Sequence, residues 1–160
     1  MAQQKTNVMR LLEQKKIKYT PHEYAHGEEA VDGVTVAQIL NQDPERVFKT
    51  LVLRGASKKV YVIVVPVAMK LDYKKSAMAV GEKSVAMVHV NEINELTGYI
   101  RGGCSPLGMK KSYTTVYHET FCNYDTVMVS AGKIGYQVEL SPDDLLAMTK
   151  GKLADIASEE

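Results

Sequence analysis

Tryptophan is absent from the 160 residues, and phenylalanine and cysteine occur twice each. Two cysteines, Cys104 and Cys122, make neither a disulfide framework nor a metal site. No run reaches the ~18 uninterrupted apolar residues of a membrane helix; the longest, Val60 to Ala68, already contains Pro66. No apolar segment follows Met1-Ala2-Gln3-Gln4-Lys5. A cytoplasmic location is therefore expected, with no signal peptide and no membrane partner. Charge of one sign is lacking too: 20 basic against 19 acidic residues leave a formal +1, which neither demands nor forbids a nucleic-acid partner. Repeats, linkers and low-complexity stretches are missing as well, so a single domain over residues 1–160 is expected.

What remains is the material of an ordinary globular fold. The apolar fraction is 45% and the charged fraction 24%, and a chain of this length can bury roughly two-thirds of the surface it exposes when unfolded. Thr6 stands as a cap before Val8, Leu11 and Leu12, whose spacing predicts a helix to about Lys16. Pro21 keeps Thr20 out of the helical region, so Tyr19 to Tyr24 reads as extended. Glu28 to Gly33 reads as a loop; Val36, Ile39 and Leu40 mark a short helix, and Asp43-Pro44 a cap or turn. Val47 to Arg54 and Lys59 to Val67 read as strands of a hairpin closed by Gly55-Ala56-Ser57-Lys58. A helix from Asp72 to Val80 stopped by Gly81, a strand from Ser84 to Val90 and a helix from Asn91 to Thr97 follow. Beyond the glycine-rich stretch Arg101 to Gly108, strands are expected at 114–118, 126–130 and 136–140. Ser141-Pro142-Asp143-Asp144 then opens a helix closed by Gly151, with a charged tail fraying past it. Six or seven strands without strict helix alternation argue against a doubly wound sheet. The expected class is α+β: a curled mixed, largely antiparallel, barrel-like β-sheet surrounded by short helices.

Within the first hairpin, alternation puts Lys49 with Val47, Leu51 and Leu53, and Phe48, Thr50, Val52 and Arg54 on the other face. A cation on an apolar face is costly unless it meets an anion or opens into a cleft; the other reading is a strand-end lysine that snorkels to water. In the glycine loop, a phosphate-cradling motif aligned on Gly103 and Gly108 needs lysine and then Ser or Thr, where Met109 and Lys110 stand. Pro106 removes an amide besides, so no ATP or GTP site is expected. The adjacent Gly102 and Gly103 suit close backbone approach to a ligand or a tight structural turn. His22 and His26 are four apart, but on an extended segment they lie ~13 Å from each other with no further ligands, so neither metal nor cofactor is expected. His89 and His118 read as structural, and Cys104 lacks the spacing signature of a nucleophile. The lysine pairs 15–16, 58–59, 74–75 and 110–111 read as solvated surface, or as phosphate contacts where several share a face.

Phe48-Lys49-Thr50-Leu51, then Gly98-Tyr99 ahead of Gly102-Gly103-Cys104-Ser105-Pro106-Leu107-Gly108, then Val129-Ser130-Ala131-Gly132-Lys133 resemble the YbaK family in order and spacing. These free-standing aminoacyl-tRNA deacylases are related to the editing domain of bacterial prolyl-tRNA synthetases. Tyr24 and His26 upstream and Val138-Glu139-Leu140 downstream extend the resemblance over nearly the whole chain. It implies trans-editing of misacylated tRNA, Cys-tRNA(Pro) foremost, with Cys-tRNA(Cys) a further substrate and Ala-tRNA(Pro) the substrate of sister branches. It puts the catalytic lysine at Lys49, and substrate-binding positions at Tyr24, Thr50, Gly102, Gly103, Ser105, Pro106, Gly108 and Ser130. The implied chemistry needs no metal or cofactor: the substrate's own thiol attacks the ester and leaves as a cyclic thioester. Lys49 positions the terminal ribose and phosphate or stabilises charge, and loop amides hold the carbonyl region. The implied partners are the acceptor end of misacylated tRNA(Pro) and, given the small net charge, prolyl-tRNA synthetase in a ternary complex. Ala25, Cys104, Met109, Ile134 and Tyr136 depart from the family's usual residues and bear on substrate preference. The competing readings are a non-catalytic tRNA- or nucleotide-binding module that has kept the pocket, and an interaction domain. The unchanged lysine, glycine-loop and serine positions favour an enzyme over both.

Overall fold

Pairing along the chain's longest apolar run organises the structure, a computed structural model that describes residues 5–24 and 32–159. The expected hairpin forms from β2 (Phe48–Gly55) and β3 (Val60–Pro66), paired over seven residues of register. On its other edge β2 takes β5 (Val85–Met87) for three residues only. β3 pairs in parallel with β6 (Thr114–His118), and β6 in parallel with β9 (Lys152–Ala154), which completes a mixed five-stranded sheet. A second, antiparallel sheet has the order β1 (Thr20–Glu23), β8 (Tyr136–Leu140), β7 (Val127–Ser130). A third consists of β4 (Met69–Leu71) and β10 (Ala157–Glu159).

Helix ends follow their capping residues. Thr6 accepts the Met9 N–H at the start of α1 (Asn7–Gln14), Asp32 that of Thr35 in α2 (Gly33–Ile39), and Asp72 that of Lys75 in α3 (Tyr73–Val80). Gly81 ends α3 at φ 74°, and Gly98 ends α4 (Val90–Thr97) at φ 86°, a conformation that favours glycine. α5 (Pro142–Thr149) has its proline at the first position, where a missing N–H costs nothing.

The sheets sort their residues by parity. Phe48, Val62, Val64 and Tyr117 face a core completed by Val127, Val129, Val138 and Leu140 of the second sheet and by Val8, Met9 and Leu12 of α1. Leu53, Ile63, Val65 and Val116 face a second core, closed by Ala77 of α3 and by Ile156. Among the described residues a single parallel bridge, Val47 to Met128, joins the two larger sheets where β2 begins. The architecture is thus α+β and antiparallel-rich, curled through that bridge, and among the described residues not closed into a barrel.

Three local features differ from the sequence reading. The C-terminal tail does not fray: β9 and β10 flank a fully buried Ile156. Three-residue strands carry too little periodicity to be seen, and their pairing partners lie far off in sequence. α5 ends on Lys150 at φ 53°, not on Gly151. Gly151 serves packing instead, because a Cβ there would stand 2.3 Å from the Tyr117 ring. The strand expected at 84–90 is cut to three residues, since Val90 already begins α4.

Candidate functional site

Register decides which side chains meet. Val47 and Met128 share one small core with Ala37 and Val67. Counting in twos from Val47 brings Lys49 to that face, and from Met128 brings Ser130. Ser130 lies opposite Gln137, Gln137 opposite His22, and Tyr24 follows His22 in the same parity. Residues far apart in sequence therefore converge on one side of the curled sheets. A cavity of about 1060 Å³ opens there, and Tyr24, Lys49, Ser130 and Gln137 line it. It wraps round the edge of β2 to Thr50, Val52 and Cys104 on the opposite face, and Arg101 and Gly102 line it as well.

Of the residues singled out from sequence, Tyr24, Lys49, Thr50, Gly102 and Ser130 line this cavity; Gly103, Ser105, Pro106 and Gly108 are not in its wall. Those four shape the loop behind it. A Cβ on Gly103 would stand 3.2 Å from the Ile134 amide, so glycine lets the 100s loop close against the turn after Ser130. Ser105 is fully buried and its hydroxyl accepts the Leu107 N–H. Pro106 is buried beside it. Gly108 has φ 71° and leaves room for the Tyr99 hydroxyl, which donates to the Leu107 carbonyl. His26 and Ala25 lie outside the described residues.

Lys49 is half-buried, and no described residue forms a hydrogen bond or ion pair with it. Among the described lining residues there are two cations, Lys49 and Arg101, and one acid, Asp32. The Asp32 carboxylate is already engaged by the hydroxyl and N–H of Thr35, which hold it below its ordinary value. The wall thus offers unmatched positive charge to an anionic ligand. Uncommitted dipoles accompany it: Thr50 Oγ1 and Gln137 Oε1 are buried with no hydrogen-bond partner among the described residues. Such groups are rare in folded proteins, and each calls for a reason. Ser130 Oγ accepts the Gly132 N–H at 3.1 Å, which steadies the turn next to the cavity. Burial pushes the Cys104 thiol up to about 12, so it is protonated near neutrality and a poor nucleophile.

Like Arg101 and Asp32, Gln137 is a polar lining residue that sequence reasoning missed. Its signal was the parity of Tyr136-Gln137-Val138-Glu139-Leu140, where two polar residues share one face of an otherwise apolar strand. Beside it, Glu139 accepts from His22 Nε2 at 2.8 Å and from Arg46 Nη2 at 2.8 Å. His22 is therefore tied to a carboxylate in the wall behind the site. Elsewhere His118, Glu119 and Asp155 bring ligand atoms within 4.8 Å of one another. None of the three lines the cavity, and the Lys75 ammonium already stands 3.1 Å from Asp155. No helix among the described residues is long and apolar enough to cross a membrane.

Comparison with known proteins adds independent findings. Residues 28–148 match the family model described as an aminoacyl-tRNA editing domain. The chain is 45% identical over 158 residues, 99% of its length and 96% of the relative's, to an Enterococcus faecalis protein named "Putative Cys-tRNA(Pro)/Cys-tRNA(Cys) deacylase EbsC". It is 29% identical over 117 residues to the "Uncharacterized protein YwhH" of Bacillus subtilis, covering 73% of this chain and 74% of that one. A solved structure described as "a putative trans-editing enzyme for prolyl tRNA synthetase" superposes with a TM-score of 0.80 at 24% identity, covering 94% of both chains. The "hypothetical protein APE2540" does so with a TM-score of 0.83 at 22% identity, covering 94% of this chain and 99% of that one. At such identities these two structures speak for the fold.

Proposed function

The chain belongs to the aminoacyl-tRNA editing domain family, and on that premise we propose that it is a deacylase acting in trans on misacylated tRNA, Cys-tRNA(Pro) foremost. Near full-length identity of 45% to a relative named for Cys-tRNA(Pro) and Cys-tRNA(Cys) supports this substrate. The observation that carries it is the wall of the cavity. An unpaired lysine stands among uncommitted polar groups; among the described lining residues the one carboxylate, Asp32, is tied to Thr35, and the Cys104 thiol is protonated. That set suits a substrate that is anionic at one end and brings its own nucleophile.

An aminoacyl ester is already activated. The cysteinyl thiolate attacks the ester carbonyl, a C–S bond forms and the C–O bond to the terminal ribose breaks. The ribose oxygen leaves with a proton, which balances the one lost by the thiol, and the cyclic thioester released is opened by water. Lys49 holds the terminal ribose and phosphate and offsets the charge that develops. Tyr24, Thr50, Gly102 and Ser130 hold the aminoacyl end, and Gly103, Ser105, Pro106 and Gly108 keep the loop that carries Gly102 in shape. The working unit is one domain over residues 1–160, acting in the cytoplasm on the acceptor end of tRNA(Pro). A +1 chain has little long-range pull on a polyanion, so prolyl-tRNA synthetase helps to present the tRNA.

The test is a panel of Cys-, Ser-, Ala- and Pro-charged tRNA(Pro) with Cys-tRNA(Cys), with and without chelator. Cys-tRNA(Pro) should be cleaved fastest, with Ser-tRNA(Pro) far slower because a hydroxyl is a much weaker nucleophile, and chelator should leave the rates unchanged. Equal rates for cysteinyl and seryl esters would show that the substrate's thiol is not the nucleophile and overturn the mechanism. Cleavage of no ester at all would overturn the function.

A further inference from the structure

Along the outer edge of β2, away from β3, one stretch of backbone lies between two sheet contacts. The Gly55 N–H donates to the Lys59 carbonyl and the Val67 N–H to the Val47 carbonyl, so the odd-numbered residues from 47 to 55 turn their backbone groups toward β3. The even-numbered ones turn away. Arg54 meets Ala86 of β5, and the Val52 carbonyl accepts the Val88 N–H at 3.1 Å. At the other end, Phe48 adjoins the bridge that Val47 makes to Met128. Thr50 lies between these contacts, opposite Val64 in the ladder and, among the described residues, with no strand on its outer edge. Its N–H and C=O therefore point off the open edge of β2, in the cavity wall, and its Oγ1 is buried without a partner among the described residues.

We propose that the aminoacyl end of the substrate docks on this edge as a one-residue strand, its ester carbonyl accepting the Thr50 N–H and its α-ammonium donating to the Thr50 C=O. This rests on the deacylase reading and adds the group that grips the reacting carbonyl. The N–H and C=O of one edge residue match those of one amino acid in an antiparallel pair, and an aminoacyl ester retains both groups. Directly paired residues send their side chains to the same face. The side chain of an L-aminoacyl group thus lies on the Thr50 face, toward Val52 and Cys104, and the face of Lys49 and Ser130 stays free for the ribose and phosphate. As the carbonyl becomes tetrahedral, the Thr50 N–H donates to the oxygen that gains charge.

Two variants remove that N–H. Thr50→Pro does so at a position where the sheet does not use it, with Lys49 extended before it as proline requires. Replacing the Thr50 amide by an ester, through the α-hydroxy acid analogue of threonine, does so with the side chain kept, and decides the matter if the proline variant does not fold. Single-turnover cleavage of Cys-tRNA(Pro) by the ester variant should fall about 100- to 1,000-fold with the melting temperature unchanged. The same amide-to-ester change at Leu53, whose N–H faces β3, should lower the melting temperature and leave the rate alone. On the wild-type protein, tRNA(Pro) charged with 3-mercaptopropionate, which lacks the α-ammonium, should lose about tenfold or more in kcat/KM. A Thr50 ester variant within about threefold of wild type, where an oxyanion donor should matter far more, would overturn the docking. So would one that melts as early as the Leu53 variant. If wild type cleaves no aminoacyl-tRNA, the deacylase reading itself fails; if it cleaves and the Thr50 ester variant keeps pace, only the docking does.

Discussion

Lys49 shares its face of β2 with Leu51 and Leu53, and no described residue neutralises it. A half-buried ammonium without a counter-ion is a cost to the fold, accepted where a ligand supplies the charge. Lys49→Ala should accordingly lower single-turnover deacylation about 100- to 1,000-fold while the melting temperature holds or rises. A melting temperature several degrees lower would mean that the lysine stabilises the fold, and that its charge is not held for substrate. Cys104 is the opposite case: it lines the same cavity, but burial keeps its thiol protonated. Reactivity follows the thiolate, so proximity to the site does not make it a nucleophile.

Glu139 acts at the scale of elements. From β8 it reaches His22 on β1, Arg46 in the turn before β2, and Thr126 ahead of β7. Burial by itself would raise its pKa, but hydrogen bonds from Thr126, His22 and Arg46 together hold it below the ordinary glutamate value. A depressed folded-state pKa gives stability that is complete above the unfolded value and is lost as pH falls through the folded one. Glu139→Gln should therefore cost about 1–3 kcal/mol at pH 7, with the gap from wild type closing below about pH 4. Urea unfolding of both proteins across that range checks it, and a gap that widened in acid would show that the charge is not what matters. His118 adds to acid sensitivity in the same direction. Its pKa is lowered by burial, so stability is lost as pH falls through the ordinary histidine range.

For the molecule as a whole, closure comes from its last residues. β9 completes the five-stranded sheet against β6, β10 pairs with β4, and Ile156 between them is fully buried with Leu53, Ile63, Val65 and Val116. Ile156→Ala should cost about 2–5 kcal/mol, the range for a large core residue cut to alanine. Ending the chain at Lys150 should be worse, since it exposes the β6 edge and one core together. Equilibrium unfolding measures the first and circular dichroism of the shortened protein the second. A truncated chain that melts like the full one would mean that the tail only lies against the sheet.

Caps, glycine stops and strand alternation are local, and the residues that carry them are neighbours in sequence. That is why the helices behind Thr6, Asp72 and Ser141, the hairpin of β2 and β3, and the two faces of Lys49 and Thr50 were legible beforehand. The motif residues were legible as well, because their identity and spacing are sequence properties. Strand pairing is not local, and a three-residue strand has almost no pattern of its own. Only the tertiary structure could therefore decide that β9 and β10 exist, that Gly103, Ser105, Pro106 and Gly108 stay out of the cavity wall, and that Gln137 joins it. It alone decided where β2 keeps an open edge, because that depends on β5 stopping at Met87 and on β7 bridging the chain at Val47, just before β2 begins. An edge is a property of the strands beside it.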